Sequence, residues 1–423
     1  MTVPPPFLDR SFLPYGRQTV DDGDVAAVVA VLRGDFLTTG PEVDAYEAAF
    51  AEAVDAPHAV ACSSGTAGLH LAMLALGIGP GDVVITPTVT FLASANCAAY
   101  VGAEVAFADV DPATGLMRVA DAEAAAGRAG RDRVTAIVAV HLNGHCTDVA
   151  GLAAAFPGVP IVEDACHALG GSVGGGSVGG GSVGGGSVGG GRVGNTLVGA
   201  CPDSAMAMFS THPVKTVATG EGGVLTTRDA ELDRRLRVLR NHGIERDPSR
   251  FTETERAFDA EGRPNPWYYE MPAPGFNYRL SDIHAALGRA QIAKLRHFVE
   301  VRRHLRARYV ERLRALGPHV RPLPTAPGCD PAWHLSVALI DFAALGIERA
   351  AVMHRLKERG IGTQVHYVPV HGQPYFKALH PGLHLPGAEA YYARCLSLPL
   401  FPAMGEADVD RVVAALAEVL GVG

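Results

Sequence analysis

Short apolar runs alternate with helix-patterned stretches from residue 59 onward, and this alternation most constrains what the chain can fold into. Residues 83–86, 104–108, 134–141 and 160–164 read as strands, and 91–100, 119–126 and 149–156 carry helical spacing between them. Such a pattern means an α/β domain around a largely parallel sheet. Functional groups in such a domain sit beyond the C-terminal ends of the strands.

Three stretches place chemistry at those ends. The run from Ala59 to Cys62 enters Ser63-Ser64-Gly65-Thr66 and then a helix of small and aliphatic residues, so hydroxyls and free N–H groups meet at a helix N-terminus. This suits an anion, although a serine-capped turn has the same signature, and the Gly-Lys of a nucleotide loop is missing. Residues 160–167 end in Glu163-Asp164, and a carboxylate at that point can cap a helix, bind a ribose or partner a buried cation. Between two apolar runs, 204–209 and 224–227, lies Lys215, followed by Gly220-Glu221-Gly222-Gly223. The spacing predicts a hairpin. A lysine held against apolar strands loses hydration, which favours its nucleophilic neutral amine, whereas a solvated hairpin would leave it an ordinary surface cation.

A helix over 25–32 capped by Asp21-Asp22 and a second over 42–54 precede the sheet. Residues 230–240 read as a charged helix, 244–275 as a polar connection, and 281–316 as a long helical region capped by Ser281 or Asp282. A strand over 335–341, a helix over 348–359, a strand over 362–367 and helices over 389–395 and 406–419 make a small α+β unit. The division expected is 1–255 for a large domain and 256–423 for a small C-terminal one, which 423 residues at 48% hydrophobic content can supply with cores. Within 170–191, Gly-Gly-Ser-Val-Gly units repeat with period five, a composition with too little side chain to bury, expected to form an expanded surface loop inside the first domain.

Composition excludes several classes. The net charge of −8 with mixed signs offers no basic tract for nucleic acid. No apolar run approaches the roughly 20 residues of a membrane span. The first residues lack a signal-peptide pattern, so a cytoplasmic location is expected. Seven scattered cysteines without a CxxC pair suggest buried thiols, and no spacing of histidines supports a metal site.

Together the motifs resemble one family, the pyridoxal-phosphate-dependent sugar aminotransferases of the DegT/DnrJ/StrS group. The matching pieces are Leu37-Thr38-Thr39-Gly40-Pro41, Ser63-Ser64-Gly65-Thr66-Ala67, Thr86-Pro87 with Phe91, Glu163-Asp164-Ala165-Cys166-His167-Ala168, Phe209-Ser210 with Lys215 and Thr219 to Gly223, and Asn277-Tyr278-Arg279. They occur in the family's order over nearly the whole chain.

The resemblance implies a fold-type-I, aspartate-aminotransferase-like architecture, with a mainly parallel mixed sheet, and a homodimer sharing its active sites. It implies that Lys215 bonds covalently to pyridoxal phosphate and that Asp164 pairs with the pyridine nitrogen. Ser64, Gly65, Thr66 and Ser210 would hold the phosphate, joined by Asn277 from the other subunit, with Phe91 stacked on the ring and His167 beside it. Some family members carry histidine in place of the lysine and dehydrate their substrates; Lys215 favours transamination. Arg240 and Arg279 are candidates for the donor carboxylate.

Within the family, residues 364–371 and 373–375 and Ser397-Leu398-Pro399 are similar to the UDP-4-amino-4,6-dideoxy-N-acetyl-β-L-altrosamine transaminases of the pseudaminic acid pathway. That likeness implies that Tyr15, Asp35, Phe36, Leu37, Thr38, Gln364, Val365, His366 and Tyr367 line a sugar-nucleotide site. The reaction expected moves the amino group of L-glutamate to C4 of a UDP-4-keto-6-deoxy-N-acetylhexosamine. The alternatives are amination at C3 of a TDP- or UDP-3-keto sugar, a generic amino-acid aminotransferase, and a non-catalytic sugar-nucleotide sensor, which would need a lost lysine or carboxylate.

Overall fold

The structure, a computed structural model, describes residues 12–174 and 195–422; most of the five-residue repeats lie outside them. Helix α1 (Asp22–Leu32) begins at a reciprocal cap between Asp21 and Asp24, and α2 (Pro41–Val54) begins on a proline, whose fixed φ suits a first helical turn. Then β1 (His58–Cys62), α3 (Gly65–Leu76), β2 (Val83–Pro87), α4 (Leu92–Tyr100), β3 (Glu104–Ala108), α5 (Val119–Ala129), β4 (Val134–Val140), α6 (Val149–Ala155) and β5 (Ile161–Asp164) follow the expected alternation. The short strands β6 (Ser172–Val173) and β7 (Thr196–Leu197) pair with each other on either side of the repeats.

The hairpin of β8 (Met206–Ser210) and β9 (Gly223–Thr227) completes the main sheet, in the order β1-β9-β8-β5-β4-β2-β3. β9 alone runs against its neighbours; the pairs β2–β3, β2–β4, β4–β5 and β5–β8 are parallel. Both faces are covered, so the strands are apolar on both sides. Val83 and Ile85 of β2 join α5 and α6 in one buried cluster, while Val84 between them joins α3 in another.

Helices α7 (Ala230–Leu239), α8 (Thr254–Ala257), α9 (Asp282–Ile292) and α10 (Leu295–Arg314) come next. The long helical region expected over 281–316 is thus two helices, broken at Ala293-Lys294. α9 packs against α1 and α2. A second, antiparallel sheet, β10 (Val320–Pro322), β12 (Ser336–Ile340) and β13 (Cys395–Leu398), is backed by α10, α11 (Arg349–Glu358) and α14 (Glu406–Leu420); β11 (Cys329–Asp330) instead pairs with β6, and α12 (Pro374–Leu379) and α13 (Pro386–Arg394) precede β13. The strand expected over 362–367 does not form. Ile361 and Gln364 make single bridges to Leu13 and Ser397, and the chain then turns over the mouth of the main sheet.

Candidate active site

The parallel strands end at a cavity of about 590 Å³. Its floor comes from the start of α3, the end of β5 and the β8–β9 hairpin, and its rim from Tyr15, Phe91 and residues 364–368.

One end is built for an anion. Ser64 caps α3, its hydroxyl accepting from the Ala67 N–H at 3.1 Å. The N–H groups of Gly65 and Thr66 open the helix and have no intrahelical acceptor. A Cβ on Gly65 would meet Cβ of Ser210 at 2.9 Å, so only glycine lets the Ser210 hydroxyl approach this turn. Gly223 is equally constrained, with a hypothetical Cβ 2.7 Å from the Ser64 carbonyl oxygen.

The other end is a held carboxylate. Asp164 is 5% exposed at the tip of β5. The Ser94 hydroxyl donates to its Oδ2 at 2.6 Å, and the Cys166 N–H reaches Oδ1 at 3.3 Å. Ser94 spends its one proton on Asp164, so the Thr90 hydroxyl, 2.7 Å away, must donate to Ser94. The carboxylate therefore keeps a fixed direction and an acceptor character. Beside it, the His141 Nδ1 accepts from the Thr147 N–H at 2.9 Å, leaving Nε2–H to donate to Glu163 at 2.7 Å.

Lys215 lies half-buried in the same cavity, in the hairpin loop pinned by a Thr211–Thr219 hydroxyl pair at 2.6 Å. Burial holds its amine below the usual lysine range, against the opposite pull of Cys166 and Asp164. The solvated-hairpin alternative is thereby removed.

Imidazoles line the wall. His167 accepts the Asn143 N–H on Nδ1 at 3.3 Å, which leaves the proton of its neutral form on Nε2, 3.3 Å from the Tyr367 hydroxyl. Burial, with Lys215 and His366 nearby, keeps His167 neutral, well below the usual histidine range. His366 is anchored by the Ser397 hydroxyl at 2.8 Å and packs on Tyr15.

The cavity brings together Ser64, Gly65, Thr66, Phe91, Asp164, His167, Ser210 and Lys215 with Tyr15, Gln364, Val365, His366 and Tyr367. Asn277 and the segment Asp35, Phe36, Leu37 and Thr38 do not line it; they are exposed elsewhere on the surface. Arg240 pairs with Glu47, and Arg279 donates to Asn241 at 2.6 Å, both outside the cavity. Sequence reasoning missed Thr90, Ser94 and His334, whose ring lies 4.4 Å from that of His167. The four-residue spacing of Thr90 and Ser94 across a helix start was the only available signal.

An anion cradle, a buried acceptor carboxylate and a desolvated lysine around one cavity fit pyridoxal phosphate, end to end. Comparison with known proteins agrees. The family model for DegT/DnrJ/EryC1/StrS aminotransferases matches residues 18–417. Among solved structures, DesV of S. venezuelae is 32% identical, with 94% of each chain covered and a TM-score of 0.76. The sugar aminotransferase Spr1654 of Streptococcus pneumoniae, solved in its PMP form, is 25% identical over 97% of this chain and 99% of that one, with a TM-score of 0.81. PseC of Helicobacter pylori, at 23% identity over 97% and 99%, shares the fold at a TM-score of 0.80. With the sheet, the hairpin and every cavity residue but Tyr15 inside the matched span, the chain belongs to the DegT/DnrJ/EryC1/StrS aminotransferase family, a family of pyridoxal-phosphate-dependent sugar aminotransferases.

Proposed function

We propose that this enzyme transfers the amino group of L-glutamate to C4 of a UDP-4-keto-6-deoxy-N-acetylhexosamine, leaving 2-oxoglutarate. The observation that carries this reading is the rim formed by Tyr15 and residues 364–367 over the cavity that holds Lys215, because these are among the residues the subfamily resemblance assigns to the sugar nucleotide. Bound pyridoxal phosphate supplies an electron sink for the carbanion left when a C–H bond next to nitrogen breaks.

The chain's own groups do the rest. Asp164, fixed by Ser94, would hold the pyridine nitrogen and favour its protonated form. The start of α3, with Ser64 and Ser210, takes the phosphate. The Lys215 amine, destabilised as a cation by burial, accepts the proton from the donor's α-carbon and later returns a proton to the acceptor carbon. His167, Tyr15, His366 and Tyr367 wall off water on the sugar side.

We further propose a homodimer with shared sites. Asn277 and the segment 35–38 are exposed away from their own cavity, as residues serving a partner's site would be. Phe36, Leu37, Trp267, Tyr269 and Met271 are large apolar side chains left exposed on the single chain, as residues that a partner covers would be.

A second reading puts the amine at C3 of a TDP- or UDP-3-keto sugar, since the family match fixes amino transfer to a sugar and leaves the ring position open. The test is to give purified holoenzyme L-glutamate with a panel of UDP- and TDP-keto sugars and locate the new amine by NMR. Amination at C4 is expected. An amine at C3, or turnover only with an α-keto acid, overturns the first reading.

A further inference from the structure

A second large cavity, about 810 Å³, lies behind the active site, and Cys146 and Cys329 both line it. The two cysteines are 183 positions apart in sequence. Cys146 follows β4 in the loop that carries His141 and Asn143; Cys329 lies in β11, which pairs with β6 through Val173. The Cys146 N–H points at Sγ of Cys329 from 3.1 Å. With an N–Cα bond of about 1.46 Å, that places Sγ of Cys329 within about 4.6 Å of Cys146 Cα, a separation that a disulfide can span. The Cys146 thiol already faces Cys329, and its other contact is a long one, 3.6 Å, to the Ser172 carbonyl oxygen, so closing the bond gives up little.

We infer that Cys146 and Cys329 are a redox-active pair that closes to a reversible intramolecular disulfide when the enzyme meets a peroxide. The roles divide by environment. Cys329 is half-buried on the cavity wall, and hydrogen bonds from the Cys146 thiol and N–H hold it below the usual thiol range. Cys146 is buried and pushed up, first by that same thiol contact and then by desolvation. Cys329 is therefore the attacking thiolate and Cys146 the resolving thiol.

The thiolate sulfur attacks one peroxide oxygen; an S–O bond forms, the O–O bond breaks, and hydroxide leaves and takes up a proton. The Cys146 sulfur then attacks the sulfenic sulfur; the S–S bond forms, the S–O bond breaks, and a second water leaves. Two thiols lose two electrons in total, and hydrogen peroxide is reduced to two waters. A thiol reductant reverses the step.

The bond would tie together the segments that position two imidazoles of the active site. Three residues before Cys146, Asn143 gives its N–H to His167 and its carbonyl to the N–H groups of His334 and Leu335. Five residues after Cys329 comes His334 itself, its ring 4.4 Å from that of His167 and tilted to it by 38°.

The experiment treats holoenzyme with hydrogen peroxide, quenches with an alkylating agent, counts free thiols after unfolding, and maps peptides. The seven thiols of the untreated chain are expected to fall to five. A single Cys146–Cys329 peptide lighter by two hydrogens is expected, restored by dithiothreitol. Cys329→Ser should keep six thiols under the same treatment, and Cys146→Ala should trap an over-oxidised Cys329. A count that stays at seven, a bond joining any other pair, or a Cys329→Ser protein that still loses two thiols overturns the inference.

Discussion

Asp164 and Lys215 share a cavity but are prepared in opposite ways. The carboxylate is fixed in direction by donors, the amine is pushed toward neutrality by burial. Lys215→Ala is expected to lower turnover by at least about 10²–10⁴-fold, the span of a lost general acid–base group, and to abolish the covalent cofactor absorbance. Retained turnover would refute the assignment. Ser94→Ala removes a donor to a charged acceptor, an interaction worth about 1.5–3 kcal/mol. It should lower kcat by about ten-fold or more and shift the pH dependence of the bound cofactor's absorbance, while KM for glutamate changes little. A change in KM alone would mean that Ser94 shapes substrate binding instead. His145, away from the site, and His366, on its rim, are held neutral, mainly by desolvation, and both are driven down to about 3. Unfolded, they titrate near 6.5. Between those values the unfolded chain binds the extra protons, so stability is lost as pH falls, by about 1.4 kcal/mol per pH unit for each group. His145→Phe removes one such group without disturbing the site's polar atoms. Urea unfolding from pH 6 to 4 should show the variant's stability falling less steeply than the parent's, and equal slopes would count against a buried neutral His145.

At the scale of elements, what was legible from sequence followed from how local each signal is. Capping at Asp21 and Ser64, the short apolar strands and the glycine-bounded hairpin depend on neighbours within a few residues, and they fold as read. Residues 362–367 misled because their apolar spacing serves packing over the cavity, with only single bridges in place of a ladder. Thr90, Ser94 and His334 stayed hidden because their partners, Asp164 and His167, are brought to them by the sheet and not by sequence spacing. The clearest element-level dependence is the packing of β9 against the turn before α3. Gly223→Ala would drive a methyl to 2.7 Å from the Ser64 carbonyl oxygen and 3.0 Å from the Gly65 nitrogen. Overpacking of this kind costs roughly 1–3 kcal/mol. Because the displaced atoms form the anion cradle, cofactor affinity should fall along with the melting temperature. A variant that melts earlier yet binds pyridoxal phosphate as tightly as the parent would uncouple the strand from the cradle.

For the whole molecule, the same core runs through both sheets. One buried cluster joins Leu71 of α3 and Val84 of β2 to Val337 of β12 and Val413 of α14, so the rim over the cavity rests on the second sheet while the floor belongs to the first. What a single chain lacks is the group expected to complete the phosphate site, since Asn277 is exposed and turned elsewhere. If each site borrows Asn277 from a two-fold-related copy, two variants that are inactive alone can rescue each other. Lys215→Ala kills the site that contains it; Asn277→Asp places a negative charge against the partner's phosphate and kills that site. In a mixed dimer one site carries both lesions and the other carries neither. Random reassortment of equal amounts makes about half of the dimers mixed, so about a quarter of the parental activity should return. If Asn277 acts within its own chain, every site in the mixture keeps one lesion and nothing returns. Unfolding and refolding the two variants together, against each refolded alone, separates these outcomes, and the sedimentation mass of the refolded material shows whether the exchange took place within dimers.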